Sequence, residues 1–432
     1  MTRQSATIGL AFLLMLDWAS TARSQDKRPL LVGMGDSSSE GVQSADASFA
    51  TQGFTYLNWI AHKMGAPFPL PLIGSGPFGR VGETEVRWRL FPTVAGLDLA
   101  VSGADTDDLL NRRADAASAE DIDSETDLVL FPRMGSQMEI AESLRPHYVV
   151  CWIGANDALT AATSWDRLDA SQLTSLEDFE RRFREIGDRL GALGSRVVFL
   201  NVPDVGSIAF VVDRDDLLYF LGSDLGLPSD HRTSLVLLFL LRLGLADPSL
   251  LGDPDYLLDP SELRVISDRI DGFNRVIDDV AASIGAAVLD IHGILDRMTQ
   301  SPPSAFGIPL SRRLTRGLFS LDGVHPSNTT HAILADQTIA LMNRKFGTAI
   351  PRLTVREMLT VVLTDPHLDK DGDGRVSGRP WAGLLETLAP ILGVAGDRND
   401  RNRGVGAAVP PQSIPSREEL AWIIEKAFQP PR

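Results

Sequence analysis

Five short runs of apolar and β-branched residues alternate with helical patterns over the first 350 residues, and this alternation constrains the fold most. The runs are Pro29–Met34, Leu97–Val101, Tyr148–Ile153, Arg196–Asn201 and Ala286–Ile291. Continuous apolar runs of this length suit central strands of a parallel sheet covered on both faces. Between them, Leu176–Leu193 and Ser261–Ser283 carry helical periodicity. In the second, Leu263, Ile266, Ile270, Phe273, Ile277 and Val280 form one apolar stripe, and Asp259-Pro260-Ser261 supplies the start signal. The pattern predicts an α/β, doubly wound domain with a parallel sheet over residues 26–350. In such sheets ligands sit beyond the carboxyl ends of the strands.

With 432 residues the chain is long enough to bury a large core. Asp and Glu outnumber Lys and Arg 57 to 41, a formal charge of −16, which argues against nucleic acid or an anionic bilayer as the main partner. Basic and acidic residues balance from 351 onward, so the surplus belongs to residues 1–350. The single cysteine, Cys151, allows no internal disulfide and no multi-cysteine zinc site. It lies inside an apolar run, which predicts a buried strand residue rather than a nucleophile.

Residues 1–25 read as an export signal, with Arg3, the apolar core Ile8–Leu16 and the small-residue site Ser20-Thr21-Ala22. That core is too short to span a bilayer. An uncleaved anchor or an unstructured leader is the alternative, and export leaves periplasm and extracellular space equally open.

The connection from Pro203 to about Pro260 is too long for an ordinary loop and starts where the site should lie. Its apolar run Leu235–Leu241, continued by Leu243 and Leu245, reads either as a core helix or as a lid or acyl-binding wall. Residues 351–432 form a second, small helical domain, with helical patterns at Leu353–Leu363, Trp381–Leu392 and Ser416–Phe428.

Four blocks carry chemistry. Gly35-Asp36-Ser37-Ser38-Ser39-Glu40-Gly41 follows the first strand, where a serine hydroxyl and its own N–H are lifted above the sheet. Ala100-Val101-Ser102-Gly103-Ala104 follows the second, and a glycine there lets its N–H face a ligand. Gly154-Ala155-Asn156-Asp157 follows the third, where Asn156 offers a neutral amide donor. Asp322-Gly323-Val324-His325-Pro326 places an aspartate three residues before a histidine, within reach of its Nδ1–H. Singly, each is also compatible with a turn or cap. Gly74-Ser75-Gly76-Pro77-Phe78-Gly79 matches a dinucleotide glycine pattern, but Pro77 and the lack of a following helix make it a loop. The other six histidines have no comparable neighbour and read mostly as structural.

In that order and spacing the blocks resemble the SGNH/GDSL hydrolase superfamily. Trp152–Asp157, Asp322–Pro326 and Asn201-Val202-Pro203-Asp204-Val205 are similar to its secreted bacterial esterase/lipase branch. The resemblance implies a flavodoxin-like sheet, Ser37 as nucleophile, His325 as base, and Asp322 as its partner. It also implies Ser37, Gly103 and Asn156 as oxyanion donors and no catalytic cofactor. The chain departs from the family at Ser38, usually Leu, and at Asp98, often Asn, which bears on substrate preference.

In the tail, Asp369-Lys370-Asp371-Gly372-Asp373-Gly374-Arg375-Val376-Ser377 resembles an EF-hand calcium loop, with carboxylates at positions one, three and five and glycine at six. Asp369, Asp371, Asp373, Arg375 and Ser377 are the expected ligands. Pro380 replaces the bidentate Glu of position twelve, so weak calcium binding competes with a solvated acidic turn. The expected activity is an exported serine ester hydrolase on lipid or small acyl esters, preferably neutral ones given the acidic domain. The alternatives are a carbohydrate acetylesterase or acyltransferase, and a catalytically silent, calcium-dependent surface-binding protein.

Overall fold

The computed structural model describes residues 28–74, 80–81, 84–85, 87–163, 172–372 and 376–377. The leader at 1–25, most of the glycine-rich loop 74–79 and the tail helices at 381–392 and 416–428 lie outside the described residues.

The strands that frame the site are, in chain order, β1 (Leu31–Gly35), β2 (Tyr148–Trp152), β3 (Arg196–Leu200), β4 (Val211–Val212), β5 (Arg232–Ser234), β6 (Leu257–Leu258) and β7 (Ala287–Leu289). The main sheet runs β1-β2-β3-β7, and every pairing in it is parallel. Its strands are short and almost wholly buried, as their unbroken apolar composition requires. Leu97–Val101 lies along the free edge of β1. Gly33 N–H donates to Leu97 O and Leu99 N–H to Gly33 O, both at 2.9 Å, and Val101 N–H donates to Gly35 O at 3.1 Å. Only one residue pair, Gly33 and Asp98, satisfies a parallel bridge, so this fifth strand is rudimentary. Counting it, the order is flavodoxin-like, and the chain reverses its direction of advance between β1 and β2. That crevice is where a ligand belongs.

Helices clothe the sheet: α1 (Ser37–Glu40), α2 (Gln137–Leu144), α3 (Asn156–Thr163), α4 (Leu176–Ala192), α5 (Leu235–Arg242), α6 (Pro260–Ile284), α7 (Asn328–Phe346) and α8 (Val355–Thr364). The longest, α6, begins with Asp259 accepting from Ser261 N–H and Glu262 N–H and with Pro260 in its first turn. It ends at Gly285 in the left-handed region, φ 71°. Its buried stripe packs on α4, where Phe179 stacks on Phe273 with centroids 3.9 Å apart. Gly187 permits the approach, because a Cβ there would stand 2.2 Å from Val280 Cγ1.

The long connection contains a small antiparallel sheet, β6-β5-β4, and its apolar run forms α5 between β5 and β6. Leu235–Leu240 are all buried, at 3 % exposure or less, so the run packs here as a core helix. Among the described residues no helix is long and apolar enough to cross a membrane.

Residues 351–372 lie against residues of the preceding 26–350 stretch. Helix α8 packs on α7, Lys63 pairs with Glu357 at 2.7 Å, and Asp365 accepts from Thr329 N–H at 2.8 Å. Phe273→Ala should remove the centre of the α4–α6 contact and cost about 3–5 kcal/mol. Urea unfolding of the two proteins reads this directly.

Candidate active site

The site starts with a glycine. Gly35 ends β1 with φ +149°, and a Cβ on it would sit 2.2 Å from Trp152 O, so only glycine lets β1 close against β2 here. Gln137 of α2 clamps the same residue on both sides. Gly35 N–H donates to Gln137 Oε1 and Gln137 Nε2 donates to Gly35 O, each at 2.9 Å. Asp36 then caps α1, its Oδ1 accepting from Ser38 N–H at 3.0 Å, and Ser37 becomes the first residue of that helix. Gly41, at φ 97°, ends it after one turn. The serine therefore stands at a helix N-terminus above the carboxyl end of the sheet, where an anion is favoured.

The histidine arrives on a tight turn. Ser320 N–H donates to His325 O at 2.8 Å and Gly323 N–H to Ser320 O at 3.0 Å. Gly323 has φ 74°, and Phe210 from the long connection braces it by donating N–H to Gly323 O at 2.9 Å. His325 Nε2 lies 2.8 Å from Ser37 Oγ, and His325 Nδ1 lies 2.8 Å from Asp322 Oδ2. Asp322 Oδ1 accepts from Val324 N–H at 2.8 Å and His325 N–H at 2.9 Å.

Burial alone would raise the Asp322 pKa. The facing imidazole and the two N–H groups outweigh it and hold the carboxyl well below the usual carboxylate range. His325 moves the other way: burial opposes its charge, but Asp322 and Asp36 raise its pKa above the ordinary 6.5. Asp36 is itself pushed up to about 6 by burial, against the pull of Ser38 N–H and His325.

Asn156 opens α3, and its Nδ2 donates to Ala104 O at 2.8 Å. That bond fixes the amide plane and uses one of its two hydrogens. Gly103 occupies the turn between Val101 and Ala104 at φ 77°. A Cβ there would meet nothing within 4 Å, so backbone conformation rather than space calls for glycine. Glu40 holds the turn, its Oε2 accepting from both Ser102 N–H, at 2.6 Å, and Ser102 Oγ.

Ser37 and Asn156 line one narrow cavity of about 40 Å³. Its other walls are mostly apolar, from Leu159, Val205, Ile208, Ile291, Leu295, Phe319 and Leu334. The long connection thus supplies Val205 and Ile208, while α5 contributes no wall. Gly103 lies beside this cavity and not among its walls.

Sequence reasoning did not find Gln137, Glu40 or Phe210. Each acts across a long stretch of chain on a backbone atom, and no local spacing announces that. Cys151 is fully buried in β2, and burial pushes its thiol up. In the acidic loop, Asp369 Oδ1 accepts from Gly372 N–H at 2.8 Å, and Oδ2 lies 3.8 Å from Arg316. Asp373 and Arg375 lie outside the described residues, and among the described ones no group of three His, Cys, Asp or Glu side chains could hold a metal.

The GDSL-like Lipase/Acylhydrolase family matches residues 31–338, most of the chain. The chain belongs to that family. It is a carboxylic ester hydrolase of α/β fold. No curated protein matches it. Among solved structures it is similar to an α/β hydrolase enzyme from the metagenome of Lake Arreo, Spain, at 16% identity and TM-score 0.35, covering 73% of this chain and 95% of that one. It is also similar to an acetylxylan esterase from Geobacillus stearothermophilus, at 16% identity and TM-score 0.35, over 76% and 97% of the two chains. A lipase/acylhydrolase from Enterococcus faecalis is similar at 13% identity and TM-score 0.33, over 75% and 100%.

A base must be neutral to accept a proton, so if His325 acts as the base of the reaction proposed below, activity is lost as pH falls through its pKa. Because that pKa is raised, the acid limb of kcat/KM should have its midpoint above 6.5. Asp322→Asn should move the midpoint down and lower kcat by about 10⁴-fold. A pH–rate profile of both proteins checks the two shifts.

Proposed function

We propose that the chain is an exported serine esterase that hydrolyses neutral esters of short acyl groups with Ser37, His325 and Asp322. The observation that carries this reading is the unbroken hydrogen-bonded series from Ser37 Oγ through His325 to Asp322, each link 2.8 Å. Ser37 Oγ attacks the ester carbonyl carbon as its proton passes to His325 Nε2. The carbonyl oxygen becomes an oxyanion, received by the N–H groups of Ser37 and Gly103 and by Asn156 Nδ2. The carbon–oxygen bond to the alcohol then breaks, and the alcohol leaves with the proton from His325. Water attacks the acyl-enzyme by the same route and releases the carboxylic acid. Asp322, ionised throughout, keeps the Nδ1–H tautomer and stabilises the imidazolium.

The acyl preference follows from the cavity. About 40 Å³ is a small space for an acyl chain, and its walls are mostly apolar. A short acyl chain, acetyl to butyryl, suits it better than a long fatty one. The acidic catalytic region repels anionic headgroups, which favours neutral substrates.

Export rests on the leader pattern of residues 1–25. Calcium binding in the tail rests on the loop pattern of Asp369, Asp371, Asp373, Arg375 and Ser377. Arg316 and Gly372 N–H already engage the Asp369 carboxylate, so a cation would have to displace Arg316, and weak affinity follows.

On p-nitrophenyl esters of rising chain length, turnover should peak at two to four carbons and collapse in Ser37→Ala, by about 10⁶-fold in kcat. Unchanged activity in Ser37→Ala refutes the nucleophile, and a peak at long chains refutes the cavity argument. Calorimetric titration of wild type and Asp371→Ala with calcium should give heats only in the former. Identical heats remove the metal site.

A further inference from the structure

Gln43 and Asp46 exchange both backbone hydrogen bonds at 3.1 Å, closing a two-residue hairpin over Ser44 and Ala45. Both central residues lie in the left-handed region, Ser44 at φ 52° and Ala45 at φ 57°. Turns of that kind are normally filled by Asn-Gly or Gly-Gly, because a Cβ makes the conformation costly. Strain of this sort persists where its surroundings over-determine it, and it collects at functional sites. Ala45 is exposed, so side-chain packing does not explain its backbone. What the conformation achieves is to aim two N–H groups at the histidine loop. Ser44 N–H donates to Ser320 Oγ at 3.0 Å, and Ala45 N–H donates to Asp322 Oδ2 at 2.7 Å.

Oδ2 is the oxygen that faces His325 Nδ1. The other oxygen, Oδ1, is held by Val324 and His325 N–H from within its own turn. Ala45 is thus the donor that fixes the imidazole-facing oxygen from outside the loop. The hairpin has its own anchors. Gln43 Nε2 donates to Asn328 Oδ1 at 2.8 Å, at the start of α7, and Gln43 Oε1 lies 3.1 Å from His367 Nε2.

We propose that the Ser44–Ala45 turn is a positioning element for Asp322, its backbone N–H groups holding the carboxylate in the orientation that His325 needs. This role rests on the proposed assignment of Ser37, His325 and Asp322 as the reacting triad. Both residues act through their main chain, and at exposed Ala45 side-chain identity matters only as far as it permits the left-handed turn.

The test replaces Ala45 by lactic acid in the full chain, which deletes one N–H and keeps the methyl group. On a p-nitrophenyl short-chain ester, kcat should fall about tenfold, the worth of one hydrogen bond to a charged group, while KM stays within about twofold. Ala45→Gly supplies a residue such a turn prefers and keeps both N–H groups. It should retain wild-type kcat and raise Tm. Should the ester form fail to fold, Ala45→Val, whose branched side chain resists the left-handed region, should lower kcat at constant KM. Wild-type kcat in a folded ester or Ala45→Val protein overturns the proposal, as does loss of kcat in a folded Ala45→Gly protein. Ser37→Ala in the same assay separates the two ideas. Full activity there defeats the triad itself, whereas an inactive Ser37→Ala beside a fully active Ala45 ester defeats only the positioning turn.

Discussion

The close approach of β1 to β2 at Gly35 is the constraint on which the rest of the site depends. A side chain at 35 would collide with Trp152 O at 2.2 Å, and the Gln137 amide locks both polar groups of that residue. Those contacts set the direction in which the chain leaves the sheet. Asp36 can then cap α1, and Ser37 is presented at its first position, in the crevice where the strand order reverses. Asn156 reaches the same crevice because it opens the helix after β2, which the same contact holds in place. Ser37 and Asn156 share one cavity because two neighbouring strands end together.

Around this seam, hydrogen bonds from distant parts of the chain hold each loop of the site in place. Glu40 takes the Ser102 N–H and hydroxyl, Phe210 holds Gly323, and the Ser44–Ala45 hairpin holds Asp322. Each such bond is worth about 1 kcal/mol net, but leaving a buried partner unmade costs more, so the arrangement is specified more firmly than those sums suggest. Residues 365–369 join this scaffold. Asp365 binds Thr329, and His367 meets Gln43, so the acidic loop of the tail begins two residues from a group wired to the histidine turn.

Much of this was legible in the sequence. The parallel sheet could be read because its strands are buried on both faces and therefore apolar throughout. Helix α6 could be read because one face is wet and carries caps at both ends. The four blocks were legible because glycines, the Asp-x-x-His spacing and Asn156 each have a local chemical reason. Leu97–Val101 is a partial exception: it reads as a strand but makes only one bridged pair, at the edge of β1. Leu235–Leu241 stayed ambiguous because an all-apolar helix has no polar face to say which side is buried, and the structure resolves it as core. Gln137, Glu40 and Ala45 were invisible for another reason. Gln137 lies 102 residues from the backbone it clamps, Glu40 62 residues from Ser102, and Ala45 277 residues from Asp322.

The central claim is that Ser37 is made nucleophilic by His325 and Asp322. Treating the purified protein with a serine-reactive organophosphate and mapping the adduct by mass spectrometry tests it most directly. The account predicts a single adduct on Ser37 in the wild type, formed at least about a thousandfold more slowly in His325→Ala, roughly the loss expected without the general base. No adduct on Ser37, or equal labelling of Ser37 in the two proteins, would contradict it.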